Sequence, residues 1–99
     1  MFVHVVLARV REGVAPAALE DLAFRIGAIA DTVAGPGSWI VGPNVTEEPL
    51  AQGYDFGFVL RFRDRAALDA YHVNPAHLAI SLAIRNLAES VLVFDLDRS

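Results

Sequence analysis

The imidazole of His77 is the side chain in this sequence best suited to act as a general base. It follows Asn74-Pro75, and asparagine commonly caps helices while proline commonly occupies their first position, so we expect His77 in a first helical turn. The positive end of the helix dipole disfavours imidazolium and keeps the ring neutral, as proton abstraction requires. We therefore predict that His77 is catalytic. The alternative is a histidine that only hydrogen-bonds locally or packs under the helix.

Tyr71 is the predicted partner of His77. On one continuous helix, a separation of six residues would turn the two side chains about 240° apart. The residue before a proline avoids the helical region, so the Asn74-Pro75 pair breaks the helix and allows both side chains to reach one cavity. We predict that the Tyr71 phenol hydrogen-bonds the imidazole or a substrate carbonyl. The alternative is a core tyrosine whose hydroxyl contacts water.

Three further residues are predicted to bind a ligand. His4 shares a strand face with Val6 and Ala8, whose small side chains leave space beside the imidazole. Trp39 and Phe58 offer aromatic faces to a flat hydrophobic molecule. For each of the three, the alternative is a purely structural place in the core.

Several classes of site have no support in the sequence. Cysteine is absent, which excludes disulfides, cysteine-ligated zinc and thiol catalysis. His72 is expected to be exposed on the side away from Tyr71, and the histidine spacing has no metal signature, so we expect neither a metal nor another cofactor. One histidine could ligate haem, but 99 residues offer little cover for it. Arg61, Arg63 and Arg65 could bind an anion or form a solvated edge.

Composition points to a second copy of the chain as the partner. With 99 residues the chain fits one domain, residues 1–99, yet 55% of them are hydrophobic, which is more apolar surface than a small domain can hide. No apolar run approaches the ~18 residues of a membrane span. The net charge of −4 argues against nucleic acid. We predict a cytoplasmic homodimer, since the first residues lack the positive start of a signal peptide.

The predicted elements must bring these residues together. Residues 54–63 read as a strand with Tyr54, Phe56, Phe58, Leu60 and Phe62 on one face. Further strands are predicted at 3–10, 39–41 and 90–96, and a long helix at 16–33. A short helix capped by Asp64 ends at Tyr71, and another, capped by Asn74, has an apolar side formed by Leu78, Ala79, Leu82, Ala83 and Leu87.

The order of these elements predicts the architecture. It is the order of an α+β, ferredoxin-like split β-α-β fold with a four-stranded antiparallel sheet. Helices would cover one face of the sheet. The other face is also apolar, so we expect two sheets to meet across a dimer interface as a closed barrel. Residues 46–52 form either a lid or a simple turn.

Five segments make the chain resemble the stress-responsive dimeric α/β-barrel (Dabb) family over nearly its whole length. They are His4-Val5-Val6-Leu7, Gly42-Pro43-Asn44-Val45, Gln52-Gly53-Tyr54-Asp55, Tyr71-His72-Val73-Asn74-Pro75-Ala76-His77 and Val91-Leu92-Val93-Phe94-Asp95. The resemblance implies a homodimer whose two sheets form a barrel. A plant polyketide cyclase of this family performs a cofactor-free aldol cyclisation. Its catalytic tyrosine and histidine correspond to Tyr71 and His77, and a further pocket histidine corresponds to His4.

Four functions stay open on this basis. The first is a cyclase-like enzyme in which His77 abstracts a proton next to a carbonyl and Tyr71 holds the substrate. The second is a non-catalytic protein that binds a small hydrophobic molecule in the same cavity. The third is a dimerisation module whose barrel is packed solid, and the fourth is a cofactor-free monooxygenase. The fold by itself does not choose among them.

Overall fold

The structure, a computed structural model, describes residues 1–98. Its elements follow the predicted order, with boundaries that differ by one or two residues at several ends. They are β1 (Phe2–Val10), α1 (Pro16–Val33), β2 (Trp39–Pro43), β3 (Phe56–Phe62), α2 (Arg65–His72), α3 (Pro75–Leu87) and β4 (Ala88–Asp97). No helix within these residues combines the length and apolar character that a membrane span requires.

The four strands form one antiparallel sheet in the order β2-β3-β1-β4. The predicted ferredoxin-like fold is therefore confirmed. β2 and β4 are the two edge strands of the sheet and therefore lie far apart. One face of each strand is turned toward the helices. β4 begins directly after α3, without a loop, because the Ala88 N–H still bonds to the Ile84 carbonyl while the backbone of Ala88 is already extended.

The core lies between the helices and one face of the sheet. Phe56, Phe58, Leu60 and Phe62 alternate along β3 and are all buried, so the predicted aromatic face of this strand is confirmed. The core is completed from β1 by Phe2, Val6 and Ala8 and from α1 by Leu22, Ile26, Ile29 and Ala30. Alternation with a period of two is what selects this face of each strand.

The break between α2 and α3 forms as predicted. The Asp64 side chain accepts a hydrogen bond from the Ala67 N–H and caps α2, and the Asn74 side chain accepts from the Ala76 N–H and caps α3. Pro75 occupies the first position of α3, where the missing N–H costs nothing. The chain thus changes direction between Tyr71 and His77.

The buried side of α3 matches the predicted one only in part: Ala83 and Leu87 pack against the core as predicted, but two further leucines do not. Ile80 and Ile84 are buried, whereas Leu78 is 59% and Leu82 is 62% exposed. The two pairs have the same four-residue spacing but are offset by two residues, which is about 200° around a helix. Periodicity alone therefore admitted both faces, and packing on the sheet selected the isoleucines.

The second face of the sheet is apolar and carries no helix. Val3 and Val5 of β1 lie opposite Leu96 and Phe94 of β4, and all four point away from the helices. Phe94 and Leu96 are each 55% exposed. This face therefore presents large apolar side chains to the surroundings of the single chain.

Candidate functional site

A cavity of about 570 Å³ lies between α3 and the edge strand β4. Val91 and Val93 form its wall on β4; they are 40% and 56% exposed, although they belong to the helix-covered face of the sheet. The opposite wall comes from Ile80 and Ile84 of α3, and Val6 and Phe58 also line the cavity. Apart from Ser81, its middle is thus apolar, and the other polar side chains gather at its ends.

Tyr71 and His77 meet at one end of this cavity. Their ring centroids are 4.3 Å apart, with the ring planes inclined by 56°. Tyr71 is at the end of α2 and His77 is in the first turn of α3. The break at Asn74-Pro75 therefore brings the two rings together, as the sequence predicted.

The Tyr71 phenol is a buried hydrogen-bond donor. The residue is 1% exposed, and burial raises the pKa of Tyr71 to about 12, so the hydroxyl keeps its proton at neutral pH. Within residues 1–98 the oxygen has no hydrogen-bond partner, yet it is not sealed from solvent. A donor in this state can serve a ligand oxygen in the cavity.

His77 has the properties of a neutral base. Its Nδ1 is 3.2 Å from the His72 carbonyl oxygen, and donation of the Nδ1–H there leaves Nε2 free to accept a proton. Burial lowers the pKa of His77 below its ordinary value of 6.5; the hydrogen bond to His72 opposes this shift, and positive charge on His72 or His4 adds to it. The ring is therefore uncharged at pH 7.

His4 is paired with an aspartate that the sequence reasoning did not single out. His4 Nδ1 lies 2.6 Å from Asp95 Oδ1, and His4 is 4% exposed. The two residues are direct neighbours in the register of β1 and β4. The carboxylate accepts the Nδ1–H and fixes the ring beside Tyr71, at a centroid distance of 6.2 Å. The sequence signal that could have identified Asp95 is its alternation with Val91 and Val93, which places all three on one face of the strand.

His72 also belongs to this cluster, which corrects its predicted position. Its ring centroid is 5.1 Å from that of His77 and 5.6 Å from that of His4. His72 is exposed, as predicted, but it does not point away from Tyr71, because consecutive helical residues differ by about 100°, which allows both to border one space. Among residues 1–98, no three side chains are arranged to hold a metal ion.

Of the other two predicted ligand contacts, the structure brings only Phe58 to the cavity, at a centroid distance of 6.5 Å from His4. Trp39 lies at the opposite edge of the sheet, so its predicted place in the cavity is corrected. Its indole packs against Gly27 of α1, and its Nε1 donates a hydrogen bond to Asp31. Trp39 lies on the same face of the sheet as the cavity, but at the β2 edge, whereas the cavity is at the β4 edge.

The remaining candidates lie outside the cavity. The Arg61 guanidinium donates to the Gly37 carbonyl, and Arg63 is 3.6 Å from the Asp64 carboxylate, so both lie in local surface contacts. Residues 46–52 contribute to a groove with Leu7, Ile40 and Val59, on the second face of the sheet. The loop is therefore not a lid over the histidines.

Comparison with known sequences identifies a family match over almost the whole chain. Residues 2–97 match the stress responsive A/B barrel domain. The stress-response A/B barrel domain-containing protein HS1 of Arabidopsis thaliana is 29% identical over 92 residues, which cover 93% of this chain and 84% of that protein.

Solved structures show the same fold. A dimeric ferredoxin-like protein of unknown function from Jannaschia sp. is 30% identical, with 98% of each chain covered and a TM-score of 0.84. The hydroxynitrile lyase of Passiflora edulis is 16% identical, with 96% of this chain and 90% of that chain covered and a TM-score of 0.83. The likeness to the lyase is one of fold alone.

Proposed function

The chain belongs to the stress responsive A/B barrel domain family, and we propose that it forms a homodimer in which each protomer binds a small hydrophobic carbonyl compound and removes a proton next to its carbonyl group. The observation that carries this proposal is the contact of Tyr71 and His77 at the end of an apolar cavity. An uncharged imidazole and a protonated phenol lie 4.3 Å apart there, between ring centroids. These are the base and the hydrogen-bond donor that enolisation needs.

The proton transfer uses both groups at once. His77 Nε2 takes a proton from the carbon beside the carbonyl, and the electron pair of that C–H bond moves toward the carbonyl oxygen. The Tyr71 hydroxyl donates a hydrogen bond to this oxygen as negative charge develops on it. Since the hydroxyl is already held in the core, the developing charge meets a fixed dipole.

An aldol cyclisation would follow from the same arrangement when the ligand carries a second carbonyl. The enolate carbon attacks that carbonyl, a carbon–carbon bond forms, and the new alkoxide takes the proton that His77 holds. His77 thus takes up one proton and gives it back, so the reaction requires no cofactor. Folding a flexible chain within about 570 Å³ brings its two reacting carbons close together.

Dimer formation would cover the second face of the sheet. Phe94, Leu96 and Ile40 are 55%, 55% and 69% exposed on a face that no helix covers. Exposed patches formed by large apolar side chains often lie in an interface. The similar protein from Jannaschia sp. is dimeric. Pairing of two such faces would also shield the exposed edges of both sheets.

The dimer can be tested by one charged substitution. We expect Phe94→Asp to give a monomer by native mass spectrometry, because an unpaired carboxylate would be buried in the interface. Val73→Asp is the matched control: Val73 is 76% exposed, next to the end of α2 on the helix side, and its variant should stay dimeric. A wild-type chain that is monomeric at micromolar concentration contradicts the proposed dimer.

The chemistry can be tested by hydrogen exchange in a simple ketone. Heptyl methyl ketone is incubated with the protein in D₂O, and deuterium incorporation beside the carbonyl is followed by NMR. We expect His77→Ala to lose about 10²- to 10⁴-fold of the enzyme-catalysed exchange. Tyr71→Phe should lose about 10²-fold, since one donor to the developing oxyanion disappears.

Leu78→Ala is the control for these variants, because Leu78 is next to His77 but exposed on the other side of α3. It should exchange deuterium like the wild type. Binding of the ketone without any exchange by the wild type would favour the non-catalytic binding protein. Equal exchange by wild type and His77→Ala would remove His77 from the mechanism.

A further inference from the structure

One stripe of α3 runs along the whole cavity. His77, Ser81 and Arg85 follow one another at intervals of four residues, and all three line the cavity. Residues at this spacing lie on the same side of a helix. With a rise of 1.5 Å per residue, Arg85 lies about 12 Å along the helix from His77. The cavity is therefore a slot with the histidine cluster at one end and a guanidinium at the other.

Apart from Ser81, the walls between these two ends are apolar. Ile80 and Ile84 of α3 face Val91 and Val93 of β4 across the slot. β4 starts immediately after α3 and runs back along it, so Val91 lies toward the Arg85 end. Asp95 lies toward the histidines, where it pairs with His4.

The two ends of the slot carry opposite charges. Arg85 is exposed and takes part in no ion pair among the described residues. Glu89, an acidic residue four positions further along the chain in β4, lies 3.8 Å from Arg9 instead. The carboxylate of Asp95 marks the opposite end. An anionic group on a ligand is thus repelled from the histidine end and attracted to the Arg85 end.

Resting on the function proposed above, we propose that the ligand is a keto acid: its carbonyl lies at Tyr71 and His77, and its carboxylate, about 12 Å away across an apolar chain, binds Arg85. A guanidinium can hold a carboxylate with two parallel hydrogen bonds, which fixes the direction of the ligand as well as its affinity. Arg85 would thus be a specificity-determining residue, and Ser81 lies between the two ends of the ligand.

A structural role alone would also place an arginine here. Arg85 is in the last turn of α3, where a cation is favoured by the helix dipole. In that role the arginine affects the stability of the protein, and its removal changes the affinity for charged and neutral ligands equally. Only the proposed role makes affinity depend on the charge of the ligand.

The test compares two ligands that differ in charge and in one methyl group. The probes are a decanoic acid with a methyl ketone at its far end and the methyl ester of the same acid, and affinity is measured by isothermal titration calorimetry at low salt. We expect the wild type to bind the acid about tenfold more tightly than the ester, since a charge-assisted hydrogen bond partly open to solvent contributes about this much. Arg85→Gln should lose the preference and bind acid and ester with similar affinity.

Two further variants sharpen the test. Arg85→Lys should keep part of the preference, because an ammonium group is a point charge without the planar fork of arginine. Arg25→Gln is the matched control: it removes a charge from helix α1, where Arg25 is 3.9 Å from Asp21, and it should leave the tenfold preference intact.

Each outcome decides between the two proposals. An undiminished preference for the acid in Arg85→Gln overturns the role of Arg85. Equal binding of acid and ester by the wild type also overturns it, but leaves the apolar cavity as the binding site of a neutral ketone. Failure of the wild type to bind either probe overturns both proposals. Loss of the preference in Arg85→Gln alone supports the keto acid.

Discussion

The two edges of the sheet are covered by helices in opposite ways. At the β2 edge, α1 lies so close to the strand that the Trp39 ring fills the space between them. At the β4 edge, α3 leaves a slot of about 570 Å³. Both helices lie on the same face of the sheet, and both pack on the same core. The β2 edge serves stability, and we assign the β4 edge to binding.

The difference comes from a few side chains. Gly27 has no side chain, which lets the Trp39 ring approach the backbone of α1, and Asp31 holds the indole through its Nε1–H. β4 presents the smaller side chains of Val91 and Val93 instead, which line the slot opposite Ile80 and Ile84. A large side chain opposite a glycine closes one edge, and small side chains opposite a helix leave the other edge open.

The largest difference between the two edges should appear when a buried side chain is shortened. Ile26 of α1 is 0% exposed, so Ile26→Ala should lower the free energy of unfolding by about 2–5 kcal/mol through lost burial and a residual cavity. Val93→Ala, at a position that is 56% exposed beside the slot, should cost less than about 1 kcal/mol. Urea unfolding measures both. Equal losses would mean that the slot is not open.

A smaller effect is expected from adding one methyl group at the closed edge. A Cβ atom at Gly27 would lie 2.6 Å from Cη2 of Trp39, so Gly27→Ala must displace the ring and its hydrogen bond to Asp31. Overpacking of this kind costs about 1–3 kcal/mol, which outweighs the gain in helix propensity of about 1 kcal/mol.

Ala28→Ser is the control for this test, because Ala28 is exposed on the same helix. It should leave the free energy of unfolding within about 0.5 kcal/mol of the wild type. In Trp39→Phe, whose ring is smaller, Gly27→Ala should cost less than in the wild type. An unchanged cost would show that the indole does not close this edge.

The smallest expected effect is a pH dependence at the open edge. The pKa of His77 is lower in the folded chain than its ordinary value of 6.5, mainly because of burial, so the unfolded chain binds this proton more tightly. The stability that the neutral ring contributes is complete above pH 6.5 and is lost as the pH falls below it.

The variant that isolates this effect is His77→Gln, which should show a shallower loss of stability between pH 6.5 and acid than the wild type. Urea unfolding at a series of pH values measures it. The acid limb of ketone exchange should likewise have its midpoint below pH 6.5, since the base stays uncharged there. A midpoint above that value would contradict the assignment of His77 as the base.

The sequence was sufficient for the fold and for the central pair of the site. Alternation along β3 and the turn signals between elements define the sheet, and the Asn74-Pro75 break defines how Tyr71 meets His77. These signals are local, so they can be read without knowing the tertiary contacts.

What could not be predicted depends on contacts between distant segments. Asp95 becomes the partner of His4 only through the pairing of β1 with β4. Trp39 is on the expected face, but strand order sends it to the edge away from the cavity. For α3, Leu78 with Leu82 and Ile80 with Ile84 gave two equally spaced apolar pairs, and the packing of the whole domain chose between them.

The hydrogen bond between His4 and Asp95 also has a consequence for how the site comes into being. It joins residues 91 positions apart, and contacts between such distant segments form late because the chain must lose entropy before they form. While residues 88–97 of a growing polypeptide are still inside the ribosome, β4 is absent and the slot lacks one of its walls. The ligand that we propose would therefore bind only after nearly the whole domain has been synthesised, and its binding would stabilise the last strand to dock.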